Sequence, residues 1–474
     1  MRAPPPPGLC LPALGLFALG LLIHGLWALS IPVPVDWDPA YYREIAGNIA
    51  AGEGAVTHAG VLWGLAELGL PQPADLHWSP LPSRVLVPGL WLWPAHGDQL
   101  VSVVLGALWA PLAWVIARSL KASPRSALLA GLIGATGLGY ARFLSTPDSI
   151  ALAGVCGGLL TWGLASRRWW LAAMGAALLA LTRGEGFLVA GLAGVALLSR
   201  RELRGALMVG GAGILSWGAW QARCVLVGGE IWLSQRAQVA VQVDYLAFVR
   251  AESSSSSLLE RLGFVVGELP EAALIILLAS AVLGLPLAGG ASRQRGQAAW
   301  IRAFWLTLFA LPVLVLGLAP AVAASGSVFR SLACLAPAMA ALMGVGLERA
   351  AEWGSARRGY PPAFVFTLGL LGVGGLSLGV GWSTLKARPS RALSCPELKG
   401  PVLASDPLSL ADRCGVDAWL LPGGAQPDAV RDLVRSQGIS EAVIREGDGL
   451  AMDPEQAAAL LGWTLDPQGV LRSD

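Results

Sequence analysis

About eleven apolar segments, most of them joined by short loops, run through most of this 474-residue chain. The first spans Leu9 to Leu29. Others fall at about 98–117, 126–143, 148–165, 169–181, 186–199, 205–226, 269–288, 303–320, 328–347 and 361–382. A helix of roughly 20 residues crosses a bilayer at about 1.5 Å per residue. In lipid each backbone N–H and C=O must find a partner within the segment or an adjoining strand, so apolar runs of this length are read as helices. Composition agrees: 55% of residues are hydrophobic and only 14% are charged, where a soluble domain carries about 25% charged residues. Twenty Trp suit membrane–water boundaries, where one ring edge stays wet. A net charge of +2 gives nucleic acid no electrostatic footprint. The reading is a polytopic α-helical membrane protein of about eleven transmembrane helices.

Basic residues mark every second loop: Arg118, Lys121 and Arg125; Arg167 and Arg168; Arg200, Arg201 and Arg204; Arg293, Arg295 and Arg302; Arg349, Arg357 and Arg358. The positive-inside rule assigns these loops, and the N-terminus, to the cytoplasmic face of the plasma membrane. "ALS" at 28–30 faintly resembles a cleavage site, but the apolar run is long for a signal peptide, so it is read as an uncleaved first span. The opposite face receives the large loop 31–97, the turns at Asp148 and Arg183, the loop 227–268, the turn before Arg330 and the C-terminal region. The stretch 82–95, with three Pro and two Trp, is read as an interfacial or re-entrant helix. Counting it as a span would invert every later loop.

From about 390 the pattern becomes soluble. "GPVLASD", "DAWLLP" and "EAVIRE" read as short strands, and "PDAVRDLVRSQG" and "DPEQAAALLGW" as amphipathic helices. Residues 390–474 are therefore expected to form a small extracytoplasmic α/β domain beyond a membrane domain of residues 1–389. Cys395 and Cys414 both lie there, in a compartment that permits disulfides; a bridge and two free thiols are equally open.

The ionisable residues sent to the outer face carry the chemistry. "VDWDPAYYREIAGNIAAGEG" (35–54) places Asp36 and Asp38 just beyond the first span. Asp38 precedes Pro39 and fits a helix cap. In "STPDS" (145–149), Thr146 is expected to cap a helix begun by Pro147, with Asp148 at its positive end. "LTRGEGF" (181–187) sets Arg183 and Glu185 in a polar break between two short apolar helices, plausible where the break lines a cavity. Arg330 opens a late span. Capping, an interfacial ion pair and snorkelling each explain one of these residues. Their assignment to a single face points further, because ionisable groups at span ends avoid lipid and gather at cavities. Arginine grips phosphate through planar donors, and a carboxylate takes the proton of an attacking hydroxyl.

The order "D..YY.EIA.NIA.GEG", "TPDS", "LTRGEGF", "FRSLACLAPAMAAL" and "VLASDPLSLADRCGVDAWLLP" resembles bacterial GT-C membrane glycosyltransferases, nearest the protein O-mannosyltransferases and lipid A aminoarabinose transferases. The resemblance implies a polyprenyl-phosphate-linked sugar donor and a glycan, lipid or protein acceptor outside the cytoplasm. It implies Asp38 as general base or acceptor-orienting carboxylate, with Asp36 its nearest substitute, and Asp148 as the second acidic position. Arg183 and Arg330 fall to the donor phosphate, with Glu185, Tyr42, Arg84 and His77 lining the site. Ser331 stands where the family often has Tyr, Gly184 where Pro is common, and Pro39 where the mannosyltransferases carry a second acid. No metal and no cofactor are expected. A lipid or sugar transporter is the main rival, and it would call for inverted repeats and mid-span charges; an unreactive membrane scaffold is the third reading.

Overall fold

The computed structural model describes residues 10–31, 37–60, 69–231 and 328–358, together with 400–404, 407–420, 427–443, 454–465 and 470–473. The spans expected at 269–288, 303–320 and 361–382, and the residues Asp36 and Cys395, lie outside these. Among the described residues four helical stretches are long and apolar enough to cross a membrane: Leu11–Ser30, Gly97–Ser119, Ser149–Ser166 and Arg330–Glu348. Trp169–Thr182 and Gly186–Leu198 are apolar but shorter. The protein is a helical membrane protein.

Helix α1 (Cys10–Ser30) is peripheral, with Leu11, Leu14, Leu22, Leu26 and Leu29 exposed as a lipid-facing side chain would be. The amphipathic α2 (Trp37–Ala51) follows. Short strands β1 (Val56–Thr57), β2 (Ala59–Gly60) and β3 (Gln72–Pro73) complete the first half of the large loop. Helix α3 (Leu81–Leu92) corresponds to the ambiguous Trp-rich stretch. Its 12 residues reach about 18 Å, short of a bilayer core of about 30 Å. Exposed Trp91, Leu92 and Trp93 at its end suit an interface.

Helices α4 (Gly97–Ala107) and α5 (Trp109–Ser119) continue as one apolar unit. The apolar run expected at 126–143 is not one helix. Helix α6 (Pro124–Ala135) stops, and Gly137, Leu138 and Gly139 all take positive φ, which no right-handed helix accommodates. The one-turn α7 (Ala141–Leu144) follows. Next come α8 (Ser149–Ser166), α9 (Trp169–Thr182), α10 (Gly186–Leu198) and α11 (Leu203–Gly228). After the undescribed region, α12 (Val328–Leu332) and a 3-10 turn lead into α13 (Ala336–Arg358), where Pro337 sits in the first turn and lacks the N–H a continuous helix would need. The Arg330–Glu348 stretch is 94% buried and forms the centre of the bundle. Its neighbours, including Trp109, Ile116, Leu129, Ile133 and Ile150, are fully enclosed.

The C-terminal region holds β4 (Val402–Ala404), α14 (Pro407–Cys414), β5 (Ala418–Leu420), α15 (Pro427–Gln437), β6 (Glu441–Val443), α16 (Pro454–Leu461), β7 (Thr464–Leu465) and β8 (Val470–Arg472). The sheet order is β2-β5-β4-β6-β8-β7. The first four strands run parallel and the last two add antiparallel. The three strands and two helices expected from sequence are present. The edge strand β2 comes from the large first loop, Ala59 and Gly60 pairing with Ala418 and Trp419. Cys414 is disulfide-bonded, while Cys156, Cys224 and Cys334 are free.

Candidate active site

Asp38 lies in the first turn of α2, where a carboxylate complements the helix dipole. Both oxygens are engaged. The Trp78 indole N–H donates to Oδ1 at 2.8 Å, and Arg330 Nη1 donates to Oδ2 at 2.7 Å. Asp38 and Arg330 are 292 positions apart in sequence. The Arg330 guanidinium also lies over Phe143, 5.4 Å from the ring centroid, and Arg142 approaches the same ring at 5.9 Å.

Behind this pair sits a second, more enclosed group. Asp148, not Thr146, caps α8: its Oδ1 accepts from the Ile150 N–H at 3.1 Å and the Ser149 hydroxyl at 3.1 Å. The helix begins at Ser149 rather than at Pro147, because a carboxylate that follows the proline can satisfy the first free N–H groups directly. Arg183 breaks the α9–α10 pair in extended conformation (φ −142°, ψ 137°), as the polar "TRGEG" interruption foretold. Its Nε donates to Glu185 at 2.6 Å and its Nη1 to Ser149 at 3.0 Å. Ser331, next to Arg330, donates a short hydrogen bond to Glu185. Tyr42 is buried, bonds to Ser149, and has Asp38, Arg183 and Asp148 as electrostatic neighbours. Asp148 in turn feels Arg330, Asp38 and Arg183.

The two groups differ in access. The side chains of Asp38 and Arg330 are 21% and 24% exposed, against 14% for Glu185, 8% for Arg183 and 5% for the Asp148 residue. The Asp38–Arg330 pair is the more accessible of the two. The carboxylates of Asp38, Asp148 and Glu185 face the guanidiniums of Arg183 and Arg330, with that of Arg142 on the neighbouring Phe143 ring.

Of the sequence-predicted residues, Asp38, Asp148, Arg183, Glu185, Arg330 and Tyr42 come together. Arg84 does not join them: it pairs with Asp75 on the preceding loop, whose backbone carbonyl accepts from Trp220 of α11 at 2.8 Å. Arg84 turns toward that loop instead, its Nη1 donating to the Pro80 carbonyl at 2.8 Å while Nη2 meets the buried Asp75 carboxylate. His77 is buried edge-on against Trp78, 4.3 Å between centroids. Sequence reading missed Trp78, Phe143, Arg142 and Ser149. Trp78 and Ser149 each stood beside a residue that was singled out, but nothing in one dimension distinguishes a tryptophan aimed at a carboxylate from the other nineteen.

No protein-family model matches the chain, and no curated protein matches it. Solved structures do. ArnT from Cupriavidus metallidurans, bound to undecaprenyl phosphate, aligns over 97% of each chain at 16% identity and a TM-score of 0.59. The archaeal oligosaccharyltransferase AglB from Archaeoglobus fulgidus, in complex with an inhibitory peptide and a dolichol-phosphate, aligns over 97% of this chain and 74% of its own, at 11% identity and a TM-score of 0.52. The apo form of an oligosaccharyltransferase from the same organism covers 91% and 69%, at 11% and 0.52. The fold is that of the GT-C glycosyltransferases. Within this fold, the cluster is assembled where the large first loop meets the ends of α8, α9 and α12.

Proposed function

We propose that this protein is a membrane glycosyltransferase that moves a sugar from a polyprenyl-phosphate donor to an acceptor hydroxyl outside the cytoplasm. The observation that carries the reading is the Asp38–Arg330 pair, partly exposed and backed by Arg183, Glu185 and Asp148, in a GT-C fold. Two solved relatives of that fold were captured with undecaprenyl phosphate and with a dolichol-phosphate, which supports the donor class.

The polyprenyl tail stays in lipid and its phosphate enters at Arg330, the more accessible guanidinium. Arg330 exchanges the Asp38 carboxylate for phosphate oxygens, and this frees Asp38 Oδ2. The acceptor oxygen then attacks the anomeric carbon while its proton passes to Oδ2. The bond from that carbon to the phosphate oxygen breaks, and its electron pair leaves with the polyprenyl phosphate. Arg330 and Arg183 stabilise the charge that grows on the leaving group. Asp148 and Glu185 hold Ser149, Arg183 and Ser331 in place. The site opens away from the cytoplasm in this scheme, the N-terminus is cytoplasmic, and the C-terminal domain lies on the same side as Asp38. The sheet formed between that domain and the first loop supports this placement.

The test is Asp38→Asn. The variant is expected to insert and fold normally, to retain undecaprenyl phosphate in native mass spectrometry, and to lose glycosyl transfer by about 10²-fold or more. Transfer is read as the glycan change between cells with and without the protein. Arg330→Ala is expected to lose bound undecaprenyl phosphate instead. Wild-type glycan levels in the Asn variant would overturn the reading.

A further inference from the structure

We infer that Trp78 is the positioning residue of the site: its indole N–H holds Asp38 Oδ1 and thereby makes Oδ2 the oxygen that accepts the proton. This rests on the glycosyltransferase reading and assigns a role to a residue outside its acid, base and phosphate ligands.

A free carboxylate rotates about its Cβ–Cγ bond and offers either oxygen. Asp38 is not free to do so. The indole N–H takes Oδ1 at 2.8 Å while Arg330 takes Oδ2 at 2.7 Å. Only the second of these partners is a cation that an arriving phosphate can draw away. The Trp78 contact involves a neutral donor, which a phosphate draws far less than it draws a guanidinium, so it persists through donor binding. Oδ1 stays occupied, and Oδ2 is released for the acceptor.

The indole is itself held. Its ring stacks on Tyr41 at 4.2 Å between centroids and 29° between planes, and His77 packs edge-on at 4.3 Å. Tyr41 is fixed in turn, its hydroxyl accepting the Asp75 backbone N–H at 2.8 Å. The Asp75 carbonyl accepts from Trp220 of α11. A chain of contacts thus runs from α11 through the loop 75–78 to one oxygen of Asp38. Among the described residues, the charged and titratable groups that face Asp38 include Arg330 in contact and Tyr42 and Asp148 within electrostatic reach.

A hydrogen bond to an ionised carboxylate favours the ionised form, so its removal raises the pH needed to keep Asp38 charged. Trp78→Phe keeps an aromatic ring against Tyr41 and deletes the donor. The expected result is a fall in kcat of about tenfold with KM for the lipid donor nearly unchanged. The acid limb of the pH–rate profile should move up by about one unit, as expected for losing one hydrogen bond to a charged group. Trp78→His, which restores a ring N–H, should recover part of both effects. Should Trp78→Phe fail to fold, benzothienylalanine at position 78 replaces the N–H by sulfur at almost constant shape.

A readout independent of turnover is the carboxylate band of Asp38, identified by infrared difference against Asp38→Asn and titrated in wild type and the Trp78 variants. An unmoved titration and an unmoved pH profile overturn the positioning role while leaving the base assignment intact. Full transfer by Asp38→Asn overturns the base assignment itself, and with it this inference. Equal loss of kcat in the Phe and His variants, with no pH shift, would mean that Trp78 serves packing alone.

Discussion

Glu44 shows how one residue ties the site to the rest of the loop. It sits two turns along α2 from Asp38, is buried, and accepts from the Thr57 hydroxyl at 2.9 Å and from the His58 backbone N–H. Burial pushes its carboxyl up from 4.5 to about 7, against the pull of those two donors. The folded protein therefore holds a proton there that the unfolded chain has already lost. Its stabilising contribution is fully present below pH 4.5 and is lost as pH rises through 7. At about 1.4 kcal/mol per pH unit the loss is at most about 3.5 kcal/mol. Melting curves of the detergent-solubilised protein between pH 5 and 8 should show wild type losing stability relative to Glu44→Gln. Parallel curves would contradict the assignment. Asp148 was legible as a helix-start acid from local sequence, and the cap geometry agrees. Its assignment to the same face as Arg330 was legible from the topology, but the geometry between them was not, because no rule of sequence spacing reaches across almost two hundred residues.

At the scale of elements, the site depends on how closely α8 approaches the turn after α12. A Cβ built on Gly157 would lie 2.0 Å from the Cys334 carbonyl oxygen, so the backbones touch with no side chain between them. That contact sets the height of Arg330 against Asp148 and Asp38. Gly157→Ala should cost about 1–3 kcal/mol by overpacking and displace α12. A lowered melting temperature with weakened binding of undecaprenyl phosphate would follow; unchanged binding would place Arg330 under other control. The apolar periodicities foresaw α1, α8, α9 and α10 almost to the residue, since length and hydrophobicity suffice for a bilayer-spanning helix. They failed at 126–143, where "GLG" reads as apolar but turns the chain. Hydropathy measures transfer to lipid and is blind to the sign of φ.

For the whole molecule, the C-terminal sheet and the first loop form one body. Besides the β2–β5 pairing, His58 lies 2.8 Å from Asp417, and Arg43 of α2 reaches both Asp98 and Asp412, at 3.5 and 3.6 Å. Tyr41 and Ile45 of α2 share an apolar cluster with Leu408, Ala411 and Leu420. The helix that presents Asp38 is thus clamped between the bundle and the C-terminal domain. Gly60 is where the clamp is tightest: an added Cβ would lie 2.2 Å from the Trp419 ring. Gly60→Val should unseat β2, expose the joint to limited proteolysis and reduce transfer while the bundle remains inserted. An unchanged digestion pattern would show that the strand pairing does not hold the domain.

Sequence alone determined the membrane class, most described helix positions, three strands and two helices of the C-terminal region, and which ionisable residues stand at helix ends. Those properties follow from transfer free energy and from periodicities of 3.6 and 2 residues, which are written locally. Tertiary structure alone decided that Asp38 meets Arg330, that Trp78 holds the other carboxylate oxygen, that Arg84 is claimed by Asp75, and that the first loop lends a strand to the C-terminal sheet. Each of those is a contact between distant segments, and its geometry is set by how whole helices pack rather than by any residue's neighbours in the chain.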